Sequence, residues 1–346
     1  MIENTVLIED MKRTVQNGLP YQQLQGACIL VTGANGLIGS QMIKTLFYLN
    51  DEKKLNLQVI VAVRNIKKAV KMFGENKSLT YYEYDLEKEI TIERKIDYII
   101  HCAAPTQSKQ FIEYPSEVIK SIINGTIHSL ECAKKHQAKL IFLSSMEIYG
   151  VESFKNGEYI QEDDYGYINL LNVRNSYVEG KRVSELLCHS YAKEYQVEIC
   201  IARLCQTFGV GVQKEDKRMF AQFANAVLEN RNITLFSSGE TVRSYCYISD
   251  AIRALFYLMV FGESGEAYNV ANEEMTMPVK EIAHLVAKHY GVKVEYQIEE
   301  NENKGYLPVL QMKMNTKKMK ALGWKPEIGM LESFERMIKS MEEIEK

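Results

Sequence analysis

Tyr177 and Lys181 stand four residues apart in Tyr177-Val178-Glu179-Gly180-Lys181. On a helix that spacing puts both side chains on one face. A lysine ammonium beside a phenol favours the phenolate and draws its pKa towards neutrality. Such a phenolate can take a proton from a sugar hydroxyl while hydride leaves the carbon. Tyr84 and Lys88 share the spacing, so position must arbitrate. Tyr84 closes a strand. Tyr177 opens a helix that follows a strand ending in Ser144-Ser145. Ser145 would hold the reacting hydroxyl and orient it towards Tyr177.

A departing hydride needs an acceptor. The run Val31-Thr32-Gly33-Ala34-Asn35-Gly36-Leu37-Ile38-Gly39 follows the apolar stretch Ala27–Val31 and opens the helical stretch Ser40–Leu49. Glycines spaced three apart at a strand-to-helix turn permit a tight turn, let a phosphate approach the backbone, and let the helix pack against the strand. Free N–H groups at the helix start then face a pyrophosphate. Gly33, Asn35, Gly36, Leu37, Ile38 and Gly39 are therefore expected to bind a dinucleotide. The next strand, Val59–Val63, ends in Arg64-Asn65 with no acid at its tip. A guanidinium there suits a 2′-phosphate, with Lys67 and Lys68 close behind, which favours NADP over NAD. The same residues could instead be an exposed basic helix start. Asp85-Leu86 could meet the adenine or form a plain acidic turn. The small residues Ala103 and Ala104 would let the cofactor lie against the backbone.

These residues need a scaffold. Strands are predicted at Ala27–Val31, Gln58–Val63, Leu79–Tyr84, Tyr98–Cys102, Lys139–Ser144 and Glu198–Leu204, with helices at Glu113–His136 and Tyr177–Glu194 between them. Such alternation predicts an α/β fold, a Rossmann-like doubly wound parallel sheet with helices on both faces. Three parts are expected: an N-terminal helical extension at 1–26, a dinucleotide-binding part at 27–208 that regains about 238–262, and a smaller α/β substrate-binding part within 209–346. Val6, Leu7, Met11 and Val15 share one helical face in the extension. A net charge of −3 over 346 residues gives no general attraction to nucleic acid or to anionic membrane. Seven scattered cysteines and six unclustered histidines suggest buried thiols in a reducing compartment and no metal. The N-terminus lacks a basic start and apolar core, and Leu255–Phe261 is too short to span a bilayer, so a cytoplasmic location is expected.

Taken together, the glycine run, Ser145 before Ile148-Tyr149-Gly150, and the Tyr177/Lys181 pair resemble the extended short-chain dehydrogenase/reductase family. Arg203-Leu204 through Phe208-Gly209, Arg243 before Tyr247-Ile248-Ser249-Asp250, and Leu322-Gly323-Trp324-Lys325-Pro326 add to the likeness. Within that family the chain is most similar to nucleotide-sugar epimerases, 4,6-dehydratases and UDP-glucuronate decarboxylases. Asn175-Ser176-Tyr177 with Glu179-Gly180-Lys181-Arg182 looks closest to the decarboxylases. The resemblance implies oxidation of the sugar at C4 to a 4-keto species, with Tyr177 as base. Lys181 would lower its pKa and bind the ribose, while Ser145 would hold the oxygen. Arg243 matches an arginine that contacts the sugar diphosphate, and Gln206 stands near the phosphates where asparagine is preferred. Glu147 matches the glutamate recruited for decarboxylation or dehydration. Met146, between Ser145 and Glu147, is expected to line the substrate, and its thioether cannot donate a proton. A homodimer built on Glu113–His136 and Tyr177–Glu194 is implied, with Ile119, Ile123, Leu186 and Leu187 serving either the bundle or the sheet. A 4-keto-sugar reductase and a non-catalytic NADP-binding sensor are the alternatives.

Overall fold

The structure is a computed structural model, described over residues 4–16, 18–150, 159–298 and 311–345. Parts of the three expected regions, namely 1–3, 17, 151–158, 299–310 and 346, lie outside the described residues.

The first strand, β1 (Cys28–Thr32), is buried along its whole length. Its side chains alternate between two apolar clusters. Ile29 and Val31 join Met42, Ile43 and Leu46 of α2 (Leu37–Lys53) on one face. Cys28 and Leu30 join Leu130 and Ala133 of the helix Pro115–His136 on the other. A strand with both faces covered favours apolar residues on both, as Cys28–Val31 supplies, while the one polar residue, Thr32, is satisfied by His101. The chain continues through β2 (Gln58–Val63), α3 (Ile66–Phe73), β3 (Leu79–Glu83), β4 (Tyr98–His101), α4 (Ser108–Glu113), α5 (Pro115–His136), β5 (Lys139–Ser145), α6 (Ser176–Tyr195) and β6 (Ile199–Leu204). It then forms β7 (Gln206–Phe208), α7 (Met219–Leu228), β8 (Ile233–Leu235), β9 (Val242–Tyr247), α8 (Ile248–Phe261), β10 (Glu266–Val270) and β11 (Asn272–Pro278). The last elements are α9 (Val279–Tyr290), β12 (Val294–Tyr296), β13 (Gln311–Met312), α10 (Lys317–Ala321) and α11 (Met330–Glu345).

Among the described residues, seven strands form one parallel sheet in the order β10-β6-β5-β4-β1-β2-β3. The strand order reverses at β1, whose neighbours are β2 and β4. A crevice opens at such a reversal, beyond the carboxyl ends of the strands. A second sheet, β11-β9-β13 with β7 also paired to β9, lies in the later half of the chain. No helix among the described residues is long and apolar enough to cross a membrane, and all seven cysteines are free thiols.

Two differences from the sequence reading matter. The helix expected over Glu113–His136 starts at Pro115, and Tyr114, with φ −136° and ψ 51°, separates it from the short α4 before it. Pro115 is the cause. It disfavours the helical conformation in the residue before it and is itself well suited to a first helical position. The helix after the glycines starts at Leu37 and runs to Lys53, longer at both ends than Ser40–Leu49.

The N-terminal helix α1 (Thr5–Val15) buries Val6, Leu7, Met11 and Val15, the residues whose spacing predicts it. It also buries Asp10, which accepts from Tyr247 Oη at 2.7 Å and from Arg336 Nε at 2.9 Å. Burial pushes the Asp10 carboxyl up to about 6, against the pull of Arg336. A single helix thereby ties α11, through Arg336, to β9, through Tyr247.

Candidate active site

Gly33 has φ +64°, a left-handed conformation that suits glycine. A Cβ there would also lie 2.7 Å from Ala103 Cα and N, so β1 and β4 meet backbone to backbone. A Cβ at Gly39 would lie 2.6 Å from the Gly33 carbonyl oxygen. Gly36 caps α2 with no side-chain bond and donates its own N–H to Gly33 O at 2.9 Å. The first N–H groups of α2 thus lack a side-chain cap, and Asn35 keeps a buried Oδ1 with no partner. This cradle fits a dinucleotide pyrophosphate. Gly33→Ala combines a left-handed cost of about 1–2 kcal/mol with the clash on Ala103. It should remove saturable NAD(P)H binding in a fluorescence titration, and undiminished binding would count against the cradle.

At the tip of β2, Arg64 and Asn65 are exposed. The Arg64 guanidinium has no hydrogen-bond or ion-pair partner among the described residues. Asn65 caps α3, accepting from Lys68 N at 2.9 Å, and its carbonyl receives Asn35 Nδ2 at 3.4 Å. Asp85 is exposed and its Oδ1 accepts from Glu87 N at 3.2 Å, forming a turn. Leu86 packs on Gly125 of α5, and its carbonyl meets His128 Nδ1 at 3.0 Å. Ala103 and Ala104 are half-buried at the end of β4.

The opposite wall is built by β5 and α6. Ser145 ends β5 and accepts from Glu147 N at 3.2 Å, which starts the 3-10 turn Met146–Tyr149. Tyr177 is the second residue of α6. Burial pushes its phenol well above the usual range, the Glu147 charge adds to this, and the Ser145 hydroxyl opposes both. Ser145, Glu147 and Tyr177 are therefore neighbours. Lys181 is buried, and its Nζ donates to Leu143 O at 2.7 Å while lying 4.6 Å from the centre of the Phe142 ring. Burial brings Lys181 down to about 8. The ammonium is engaged by the Leu143 carbonyl, and the phenol is desolvated. Tyr84, the other tyrosine of that spacing, is also buried and likewise pushed up.

Met146 is 1% exposed and packs in the main apolar cluster, so it does not present its thioether to an open pocket. The 3-10 turn directs it inward. Gln206 of β7 pairs with Tyr245 of β9, two residues from Arg243, so both expected phosphate contacts sit on one small sheet. Arg243 is half-buried, and its guanidinium has no hydrogen-bond or ion-pair partner among the described residues.

Two groups to which the sequence assigned no role support the site. His101, at the tip of β4, meets Thr32 Oγ1 at 2.8 Å and Ser129 Oγ at 2.9 Å, and Thr32 Oγ1 accepts from Ala103 N at 3.3 Å. Burial first, then the Lys181 charge, takes His101 down to about 3, so it is a neutral hydrogen-bonding strut beneath the glycine turn. Its place directly before Cys102-Ala103-Ala104 was the available signal. Arg203 of β6 is 1% exposed and grips Glu185 of α6 (Nη2 to Oε2, 2.7 Å), Tyr149 Oη (2.9 Å) and Tyr165 Oη (2.9 Å). It therefore ties the helix of Tyr177 to the turn of Glu147. Glu185 stands one helical turn beyond Lys181, which was a signal of the same kind.

At the switch point the glycine turn lies against Ala103, and a serine, a glutamate and a tyrosine come together at the end of β5 and the start of α6. Residues 29–271 match one known family along that length. The chain belongs to the NAD dependent epimerase/dehydratase family. It is an enzyme of that family. UDP-glucuronic acid decarboxylase 6 of Arabidopsis thaliana is 31% identical over 314 residues, covering 89% of this chain and 87% of that protein. UDP-glucuronic acid decarboxylase 1 of Danio rerio is 28% identical over 318 residues, covering 90% and 71%. Among solved structures, UDP-glucose 4-epimerase of Thermotoga maritima with UDP-glucose superposes with a TM-score of 0.78 at 23% identity, covering 92% of this chain and 100% of that one. UDP-glucuronic acid 4-epimerase of Bacillus cereus, in complex with UDP-glucuronic acid and NAD, gives 0.74 at 21% identity, covering 92% and 99%. The two structures share the Rossmann-like fold of this family member.

Proposed function

We propose that this epimerase/dehydratase-family enzyme takes a nucleotide-diphosphate sugar, with a UDP-hexuronate as the first candidate, through a 4-keto intermediate to decarboxylation. The observation that carries the reading is the convergence of Ser145, Glu147 and Tyr177 at the end of β5 in a fold that carries the glycine cradle. The decarboxylase relatives, alignable over nearly nine-tenths of the chain, favour the hexuronate.

Gly33, Asn35, Gly36, Leu37, Ile38 and Gly39 would hold the dinucleotide, with Ala103 and Ala104 beneath it and Arg64 and Asn65 at its adenosine end. When bound, the nicotinamide supplies hydride acceptance at the sugar C4 and hydride return. Ser145 holds the C4 oxygen, and Tyr177 takes its proton. Lys181 binds the ribose and supplies the positive charge that the phenolate needs. The C4 ketone lies β to a C5 carboxylate, so the C5–carboxyl bond breaks with its electron pair passing into the enolate, and CO₂ leaves. A proton taken up from water is then delivered through Glu147 to C5, which restores the 4-ketone. Arg243 and Gln206 bind the diphosphate, for which a guanidinium free of internal partners is suited. Met146 offers no proton to a leaving hydroxyl, which disfavours dehydration. Epimerisation or 4-keto reduction would need Ser145, Tyr177 and Lys181 without Glu147.

Incubation with UDP-, GDP-, CDP- and dTDP-sugars, UDP-glucuronate among them, followed by mass spectrometry and proton NMR, tests this. Loss of CO₂ from UDP-glucuronate is expected. An isomer of unchanged mass, or loss of water, would replace decarboxylation by the corresponding branch. An unaltered panel would point to a dinucleotide sensor.

The unpaired Arg64 supports NADP over NAD. Arg64→Asp should reverse that preference, with a loss of about 1–3 kcal/mol in NADP affinity for the lost charge-assisted bonds. Paired isothermal titrations with NADP and NAD check it. An unchanged ratio would return the choice to NAD.

A further inference from the structure

The back face of Tyr177 is apolar. Its ring stacks on Phe111 of α4, with centroids 4.7 Å apart and planes 11° from parallel. Phe111 is 3% exposed and forms a small cluster with Val118 and Ile122 of α5, against which Tyr177 and Ala104 pack. A Cβ on Gly180 would lie 3.2 Å from Ile122 Cδ1, so α6 rides directly on this wall. Phe111 also touches the start of α6 through its backbone, because Ser176 Oγ donates to Phe111 O at 3.4 Å. One residue thus holds Tyr177 by its ring and the preceding residue by a hydrogen bond. The break at Tyr114 makes this possible. A continuous helix from Ser108 would carry Phe111 along the α5 axis rather than across the end of α6.

We propose that Phe111 is a positioning residue for Tyr177: its ring fixes the plane of the phenol and closes the phenol's rear to water, leaving Ser145 and Glu147 as the polar groups the hydroxyl meets. The proposal rests on the reading of Tyr177 as the base. Nearly parallel rings at this separation have a preferred geometry beyond the area they bury. A base held in plane presents its oxygen in one direction, and small misplacements of reacting groups cost large factors in rate. With the rear closed, the proton leaving C4 has its route on the Ser145/Glu147 side.

The test compares Phe111→Ala, Phe111→Leu and Phe111→Tyr in the full chain. Turnover of the active nucleotide sugar is read against pH, together with the Tyr177 ring resonance in tyrosine-labelled protein, assigned by its absence in Tyr177→Phe. Phe111→Ala and Phe111→Leu should lower kcat by roughly tenfold or more with little change in KM. In the alanine variant the acid limb of the kcat/KM profile should move to lower pH, since water reaching the phenol relieves its burial. Phe111→Tyr, which keeps a flat ring, should restore wild-type kcat. The Tyr177 resonance should lose its ring-current displacement in the alanine and leucine variants and keep it in the tyrosine variant. An alanine or leucine variant that folds and matches wild type in kcat, pH profile and Tyr177 resonance overturns the proposal. Should the alanine variant not fold, equal behaviour of the leucine and tyrosine variants overturns it. If wild type turns over no nucleotide sugar, the proposed activity fails, while the resonance still decides whether Phe111 orders Tyr177.

Discussion

Tyr177→Phe should lower turnover of the nucleotide sugar by roughly 10²–10⁴-fold while leaving NAD(P)H binding intact. The phenyl ring keeps the stack on Phe111 and the packing of α6, so only the proton-accepting oxygen is lost. Steady-state kinetics beside a dinucleotide titration separate the two effects. A phenylalanine variant with near-wild-type kcat would mean that another group takes the C4 proton. The wild-type pH profile carries a companion signature. Lys181 is lowered by burial to about 8, so its ammonium is present below that pH and lost above it. Stabilisation of the phenolate should fade in the same direction. Activity is therefore expected to decline above about pH 8, in advance of the unperturbed lysine range. An alkaline limb that stays flat through pH 10 would remove Lys181 as the charged partner.

Arg203→Leu is expected to be the most damaging single change to stability. It would leave the Glu185 carboxylate, 7% exposed, without its cation, and it would strip Tyr149 and Tyr165 of a donor. Removing one partner of a buried pair costs about 3–5 kcal/mol. For a chain of this length that corresponds to a fall in Tm of roughly 4–7 °C. Arg203→Leu with Glu185→Leu should recover most of the loss, because replacing both charges by apolar groups avoids an uncompensated one. Thermal and chemical denaturation of the single and double variants provide the check. A single variant melting within a degree of wild type, or a double variant no better than the single, would show that the pair is not what holds α6 to β6.

The core of the fold was legible because a parallel sheet leaves a strong local mark. Strands such as Val59–Val63, buried at every position, read as an unbroken apolar run. The glycine turn was equally visible, since a left-handed φ and a backbone contact at Gly33 leave glycine little competition. The start of α5 is written in Pro115, which disfavours helix in Tyr114 and suits a first helical position.

Residue type and spacing by themselves determined which groups could do chemistry: three glycines for a pyrophosphate, a tyrosine and lysine on one helical face, a serine and a glutamate after β5. These are local relations, set by strand and helix geometry within a few residues. What surrounds each group was decided by tertiary structure. Lys181 turns to the Leu143 carbonyl, Met146 enters the core, and Phe111 arrives from another helix to cover Tyr177. Protonation and orientation depend on desolvation and on neighbours distant along the chain. In the Arg203–Glu185 pair and the Tyr177–Phe111 stack, the partners lie 18 and 66 residues apart, and only folding brings them within a few ångströms.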